Sequence, residues 1–316
     1  MKINIIKYIR LENKGMKSMD FKEELQSYQK IVNNELKKYL KKDNGLEEIL
    51  HKSMEYSLMA GGKRLRPILV LATYSLLNST AYEKCFPYAV AIEMVHNFSL
   101  IHDDLPGIDN DDFRHGKLTN HKKFNEATAI LAGDALLNNA YIVISEDIKK
   151  EIENLEELQA KLQIFNEFSL AIDKMIAGEY VDTEFEGKKI SIEDLEYIHE
   201  NKTGALLTLS VRMGAILAGA TAEDLENLTK YSKKIGLAFQ VKDDILSEEG
   251  NEKDLGKPVG NDKERGKCTY VSKYGLGGAK DILNDLIQEA IKCLEEYGEK
   301  AKFLKDLAKY VGNRNK

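Results

Sequence analysis

Apolar residues recur along the chain at three- and four-residue intervals rather than in alternation, and this spacing predicts helices almost throughout. Leu, Ala, Glu and Lys, all good helix formers, are abundant, and only four prolines interrupt the 316 residues. Roughly a dozen helices are expected from the periodicity. Short breaks at Asn44-Gly45, Gly61-Gly62, Pro106-Gly107, Glu186-Gly187, Gly219 and Glu249-Gly250 separate them. No Ser/Gly/Pro-rich linker divides the sequence, so the expectation is an all-α fold in a single domain. One theme recurs weakly within it: an apolar helix ending in Asp-Asp near positions 103 and 243, as though two halves faced each other across one cavity.

The first of these helices, Ala89 to His102, is apolar over most of its circumference, which marks a central helix of a bundle. Asp103 and Asp104 close it. A carboxylate at the inner end of a buried helix lies close to the helix's negative pole and has lost most of its hydration. Left uncompensated, such a crowd of charges would force some of the acids to protonate. A hard divalent cation removes the conflict, and magnesium in particular shares its shell between a few carboxylates and substrate phosphates. In an unbroken helix Asp109 would point about 240° away from Asp103, at about 100° per residue. Pro106-Gly107 ends the helix and lets the chain swing Asp109 back, with Asp111, Asp112 and Arg114 following. The second helix, Ile235 to Lys242, carries Asp243 and Asp244 at its inner end. Its natural third ligand, one turn on from Asp243, is Ser247, so this cluster has less formal charge.

Complementary cations precede the apolar run Ile68 to Ala72. Gly61-Gly62 form a loop and Pro67 fits a first helical turn, so Lys63 and Arg66 gather at a positive helix pole where free N–H groups assist. Both can point at one anion, a ready phosphate site. Lys202-Thr203-Gly204, Lys257 and Lys267 supply further cations from the second half.

Composition narrows the class of protein. The net charge of -6 is spread over mixed-sign helix faces such as Lys149 to Glu153, and no basic stripe suited to nucleic acid stands out. Three cysteines without paired spacing argue against a disulfide framework or zinc site and read as reduced thiols. Lys2, Lys7 and Arg10 interrupt the N-terminal apolar residues too soon for a secretory core, and no run reads as long enough to span a bilayer. A soluble, cytoplasmic protein is expected. Met16 and Met19 stand just before the first strongly helical stretch, so residues 1–18 read as a disordered tail or misassigned start, with the domain over 19–316.

Five segments, in order, carry a resemblance: Gly61-Gly62-Lys63-Arg64-Leu65-Arg66-Pro67, Ser99 to Pro106, Leu131-Ala132-Gly133-Asp134-Ala135-Leu136, Lys202-Thr203-Gly204, and Gly236 to Leu246. Together they resemble the motifs of trans-isoprenyl diphosphate synthases, nearest the bacterial farnesyl diphosphate synthases, from about residue 20 to the C-terminus. The resemblance implies a helical bundle around a deep central cavity, commonly a homodimer, with three magnesium ions (Mg2+) per site. It assigns the metals to Asp103, Asp104 and Asp109 on one wall and Asp243 on the other, gripping an allylic diphosphate. Arg114, Lys202, Lys257 and Lys267 would contact the same group, and isopentenyl diphosphate would sit on Lys63, Arg66 and His96.

The implied reaction is head-to-tail condensation of isopentenyl diphosphate with dimethylallyl or geranyl diphosphate. Metals and lysines stabilise charge on the departing diphosphate. The Thr203 hydroxyl and the Gln240 amide oxygen steady the allylic cation, and the released diphosphate accepts the final proton. In the resemblance a bulky residue five before Asp103, here Phe98, stops growth at fifteen carbons. It lies about 7 to 8 Å deeper along the helix, although helix geometry puts Ser99 more squarely on the face of Asp103. Farnesyl diphosphate is the expected product, with geranylgeranyl diphosphate the alternative. A non-catalytic partner subunit need not keep the acidic and basic sets together, and a terpene cyclase needs no second diphosphate site. Departures from the family pattern are His115 after Arg114, Ser247, Glu179 where glutamine is usual, and Val271 where proline is usual. Arg314-Asn315-Lys316 resembles a basic tail that folds over the site in relatives.

Overall fold

The computed structural model describes residues 20–40, 45–151, 153–249 and 268–314. The expected N-terminal tail, Lys257 and Lys267 lie outside these residues. The elements are α1 (Phe21–Tyr39), α2 (Glu48–Leu58), α3 (Leu65–Leu77), α4 (Phe86–Asp103), β1 (Phe113–Arg114), β2 (Lys117–Leu118), α5 (Asn120–Lys123) and α6 (Glu126–Ile148). They continue with α7 (Leu155–Glu184), α8 (Ile192–Ile198), α9 (Ala205–Leu217), α10 (Ala222–Glu249), α11 (Tyr270–Lys292) and α12 (Lys302–Asn313). The all-α expectation holds, and β1 and β2 form one small antiparallel hairpin.

Helix α4 is the central rod that its pattern predicts. Pro87 sits in its first turn, where no N–H is missed, and Tyr88 through Val95 are all buried. It packs against α3 and α6, while α9 touches α3, α7 and α10, and α11 covers α10. The helix ends at Asp103, and the following turn folds back tightly. The Leu105 N–H donates to the His102 carbonyl at 3.1 Å and the Asp109 N–H to the Asp103 carbonyl at 2.8 Å. Pro106-Gly107 thus returns Asp109 to the end of α4, as the break predicts.

Two local features depart from expectation. Helix α10 does not stop at its aspartates but runs on to Glu249, because Ile245 and Leu246 continue its buried face and no breaker precedes Gly250. Asp243 and Asp244 therefore lie within its last turns. After α8 the chain widens into a π-helical turn, His199–Gly204, before entering α9. Gly178 on α7 admits this turn, since a Cβ there would stand 2.3 Å from the Lys202 backbone nitrogen.

Helix α6 corrects the reading that no run could span a bilayer. The stretch Glu126–Glu151 passes on length and composition, with only 33% of its most apolar window buried. One face, through Ala129, Ala132, Leu136, Ala140 and Ile144, packs into the core, while Ile130, Leu131 and Ile142 point outward. A half-covered helix of this kind is equally the mark of a soluble protein's interface.

Candidate active site

Asp103 lies where α4, α7 and the π turn converge. Burial pushes its carboxyl up to about 7, with Glu179 and Asp109 adding in the same sense while Lys202 and Arg114 oppose them. Lys202 bridges Glu179 and Asp182 on α7 at 2.7 Å each, and these acids hold its ammonium above the ordinary lysine range against burial. Asp104 is paired with Arg114. Its buried carboxylate takes a bidentate grip from Arg114, with Nε at 2.8 Å and Nη2 at 2.6 Å from Oδ1. Two residues assigned by resemblance to different partners, a metal and a diphosphate, are therefore paired with each other.

A cationic corner stands beside this wall. Arg64, in left-handed conformation (φ 55°) just before α3, turns inward to Glu93 of α4 at 2.6 Å and to the Leu58 carbonyl at 2.6 Å. Arg66 has a different fate. Burial lowers its guanidinium to about 10, Glu93 opposing, and its Nε has no hydrogen-bond partner among the described residues. His96 is driven well below its ordinary value by burial and then by Arg66, Arg114, Arg64 and His115, so it stays neutral. His115, itself in left-handed conformation, is lowered by burial and by Arg114, Arg64 and Lys63. Lys63, Arg66 and His96 thus share one region, with His115 and Arg114 at its edge.

Phe239 joins this corner to the second acidic wall. Lys63 Nζ lies 5.6 Å from the centre of its ring and the Arg314 guanidinium 3.9 Å from it. Arg314 also donates to Asp243 Oδ1 at 2.6 Å and to the Phe239 carbonyl at 2.9 Å. Asp244 accepts the Tyr270 N–H at 2.7 Å and so caps the start of α11. Gln240 lies on the same helix, half-buried, and Thr203 sits in the π turn beside Lys202. The turn approaches α10 closely, with a Cβ at Gly236 falling 3.4 Å from the Gly204 Cα. Among the described residues no three acidic, imidazole or thiol groups stand preassembled around one metal position. Phe98 is buried on α4, and the Ser99 hydroxyl is turned back to the His96 carbonyl at 2.9 Å.

Sequence reasoning missed Arg64, Asp182, His199 and Phe239. Only Glu179 and Asp182 carried a signal, since acids three apart on a helix share a face. His199 is buried with neither ring nitrogen hydrogen-bonded among the described residues, its ring edge-on to Tyr270 at 5.8 Å.

A helical bundle that brings paired acids at the end of its central helix beside a desolvated basic corner fits the class of prenyl-chain synthases. The polyprenyl synthetase family model matches residues 47–307, and the chain belongs to that family. It is 42% identical over 292 residues to the farnesyl diphosphate synthase of Micrococcus luteus, covering 90% of this chain and 95% of the relative. The farnesyl diphosphate synthase of Bacillus subtilis (strain 168) is also 42% identical, over 288 residues with 90% and 95% covered. Among solved structures, an apo FPP/GFPP synthase from Zymomonas mobilis superposes with a TM-score of 0.81 at 31% identity, covering 92% of this chain and 98% of that one.

Proposed function

We propose that the protein is a farnesyl diphosphate synthase, a prenyltransferase that joins isopentenyl diphosphate head-to-tail to dimethylallyl or geranyl diphosphate. The observation that carries this reading is the coexistence of an acidic cluster about Asp103 with a half-buried cationic corner about Arg66. A reaction between two diphosphates needs both. A terpene cyclase needs only the first.

Magnesium suits the acidic side. Its donors are all carboxylate oxygens, and Asp103, raised first by burial and then by Glu179 and Asp109, is a desolvated acid whose charge a hard dication would compensate. Asp103 and Asp109 on one wall and Asp243 on the other would hold it, Asp104 sharing its carboxylate with Arg114. Bound magnesium supplies Lewis-acid stabilisation to the departing diphosphate. Lys202 adds a fixed positive charge at the same place, already positioned by Glu179 and Asp182 and therefore needing little reorganisation. Arg66, with an unspent donor, and neutral His96, which can donate from one ring nitrogen, bind the isopentenyl diphosphate. Arg114 stands between the two substrates. The Thr203 hydroxyl and the Gln240 amide oxygen turn lone pairs to the allylic cation without trapping it, and the leaving diphosphate takes the proton lost from the new unit. Lys257 and Lys267 add further cationic contacts to the diphosphate.

Phe98 closes the cavity below Asp103, with Ser99 beside it, and so limits the product to fifteen carbons. The protein acts as a cytoplasmic homodimer of one domain, residues 19–316. The outward faces of α6 and α7, with Ile130, Leu131, Ile142, Leu162 and Leu170 exposed, provide an apolar surface for the second subunit.

The test is an incubation with magnesium, isopentenyl diphosphate and dimethylallyl diphosphate. Inorganic diphosphate and a dominant fifteen-carbon alcohol after dephosphorylation are expected. Cyclic hydrocarbons, or binding without turnover, overturn the assignment, and a dominant twenty-carbon product overturns the chain length. Phe98→Ala is expected to lengthen the product.

A further inference from the structure

The segment Leu131-Ala132-Gly133-Asp134 takes no part in the chemistry above, yet it meets the cavity wall through one side chain. The imidazole of His102, one turn along α4 from Phe98, stands edge-on to that ring with centroids 4.9 Å apart and planes at 76°. Its Nε2 lies 3.1 Å from the Ile130 carbonyl oxygen on α6. A carbonyl only accepts, so Nε2 carries the proton and donates. Asp134 Oδ1 lies 3.9 Å from the same nitrogen. A Cβ at Gly133 would come 2.2 Å from Nε2, so the ring occupies the space that any larger residue would need. His102 is therefore fixed on one side by α6 and presents its free edge to Phe98 on the other.

This fixing matters because a phenylalanine on a helix has two accessible χ1 wells, and only one can cover a given patch of the cavity wall. We propose that His102 is a positioning residue for product length, pinned to α6 at Ile130 and Gly133 so that Phe98 is held in the rotamer that closes the cavity. The proposal rests on the reading of Phe98 as the cavity floor. It gives the glycine of that segment a purpose: Gly133 is the socket for the brace.

The experiment measures the ratio of twenty- to fifteen-carbon products in Phe98→Ala, His102→Ala, His102→Gln and Gly133→Ala. Loss of the edge-to-face contact in His102→Ala should raise the ratio about two- to tenfold, with the KM for isopentenyl diphosphate close to that of the parent enzyme. His102→Gln, which keeps a donor for the Ile130 carbonyl but has no ring, should raise it as well. His102 adjoins Asp103, so Gly133→Ala supplies a variant on the opposite helix that displaces the ring without altering α4, and it should shift the same ratio. If Phe98→Ala lengthens the product while His102→Ala loses turnover or keeps its ratio, and Gly133→Ala keeps its ratio, the brace is overturned and the floor survives. If Phe98→Ala itself leaves the product unchanged, both ideas fall.

Discussion

Arg64 is the cation in the Lys63-Arg64-Leu65-Arg66 run that spends its charge on the fold, and its replacement by methionine is a severe perturbation. Its guanidinium and the Glu93 carboxylate are 2% and 3% exposed as side chains and 2.6 Å apart. It also donates to the Leu58 carbonyl at 2.6 Å and to Asn33 Oδ1 at 3.0 Å. Removing one partner of a buried ion pair costs about 3 to 5 kcal/mol, because the other charge is stranded. Glu93 is especially exposed to this penalty, since its Oε2 already lacks a hydrogen-bond partner among the described residues. The orphaned Leu58 carbonyl adds about 1 to 3 kcal/mol, and as one guanidinium serves all three acceptors the terms overlap, so about 5 kcal/mol is expected in total. Methionine inherits the same left-handed backbone strain as arginine, so the comparison isolates the side chain. Urea unfolding followed by far-ultraviolet circular dichroism measures the loss. The double variant Arg64→Met/Glu93→Met should recover all but about 2 kcal/mol, the residue being the unpaired Leu58 carbonyl. A single variant that loses less than about 1 kcal/mol, or a double variant no better than the single, refutes the reasoning. Because the pair anchors the start of α3, with Lys63 just before it and Arg66 in its first turn, Arg64→Met should also raise the KM for isopentenyl diphosphate more than it lowers kcat.

Two further predictions concern the acidic walls. Burial, opposed by Asp182 and aided by Lys202, pushes His199 down to about 4 from the ordinary 6.5. Between those values the unfolded chain binds a proton that the folded one refuses, so stability is lost as the pH is lowered through that window, by up to about 3 kcal/mol. His199→Phe should flatten this acid limb in melts taken between pH 7 and pH 4, and an unchanged slope would show that another group sets it. Arg314 occupies Asp243 at 2.6 Å, and Asp243 is 46% exposed as a side chain, so screening leaves their attraction modest. On the reading of Asp243 as a metal ligand, Arg314→Ala removes a competitor, and the half-saturating magnesium concentration for diphosphate release should fall about two- to fivefold. A rise instead would mean that Arg314 orients Asp243 for the metal.

The parts of this site legible in the sequence are those set within one turn of one helix. Near-complete apolar coverage of α4 marks its central position, and Pro106-Gly107 foretells the return of Asp109 because both residues act on their own backbone. What escapes is the choice of partner at long range. Nothing local distinguishes Arg64 from Lys63 or Arg66; its inward turn is decided by Glu93, 29 residues on, and by the left-handed backbone that aims it there. Asp104 reads like Asp103 until Arg114, ten residues later, claims it. The π turn is invisible for a related reason. Its wide pitch follows from α7 pressing on it at Gly178, and a glycine on one helix does not announce which backbone will lie against it. Gly133 makes the point most sharply. By itself it is a poor helix residue in the middle of α6, and only the imidazole of His102 in the space its side chain would fill turns that weakness into a requirement.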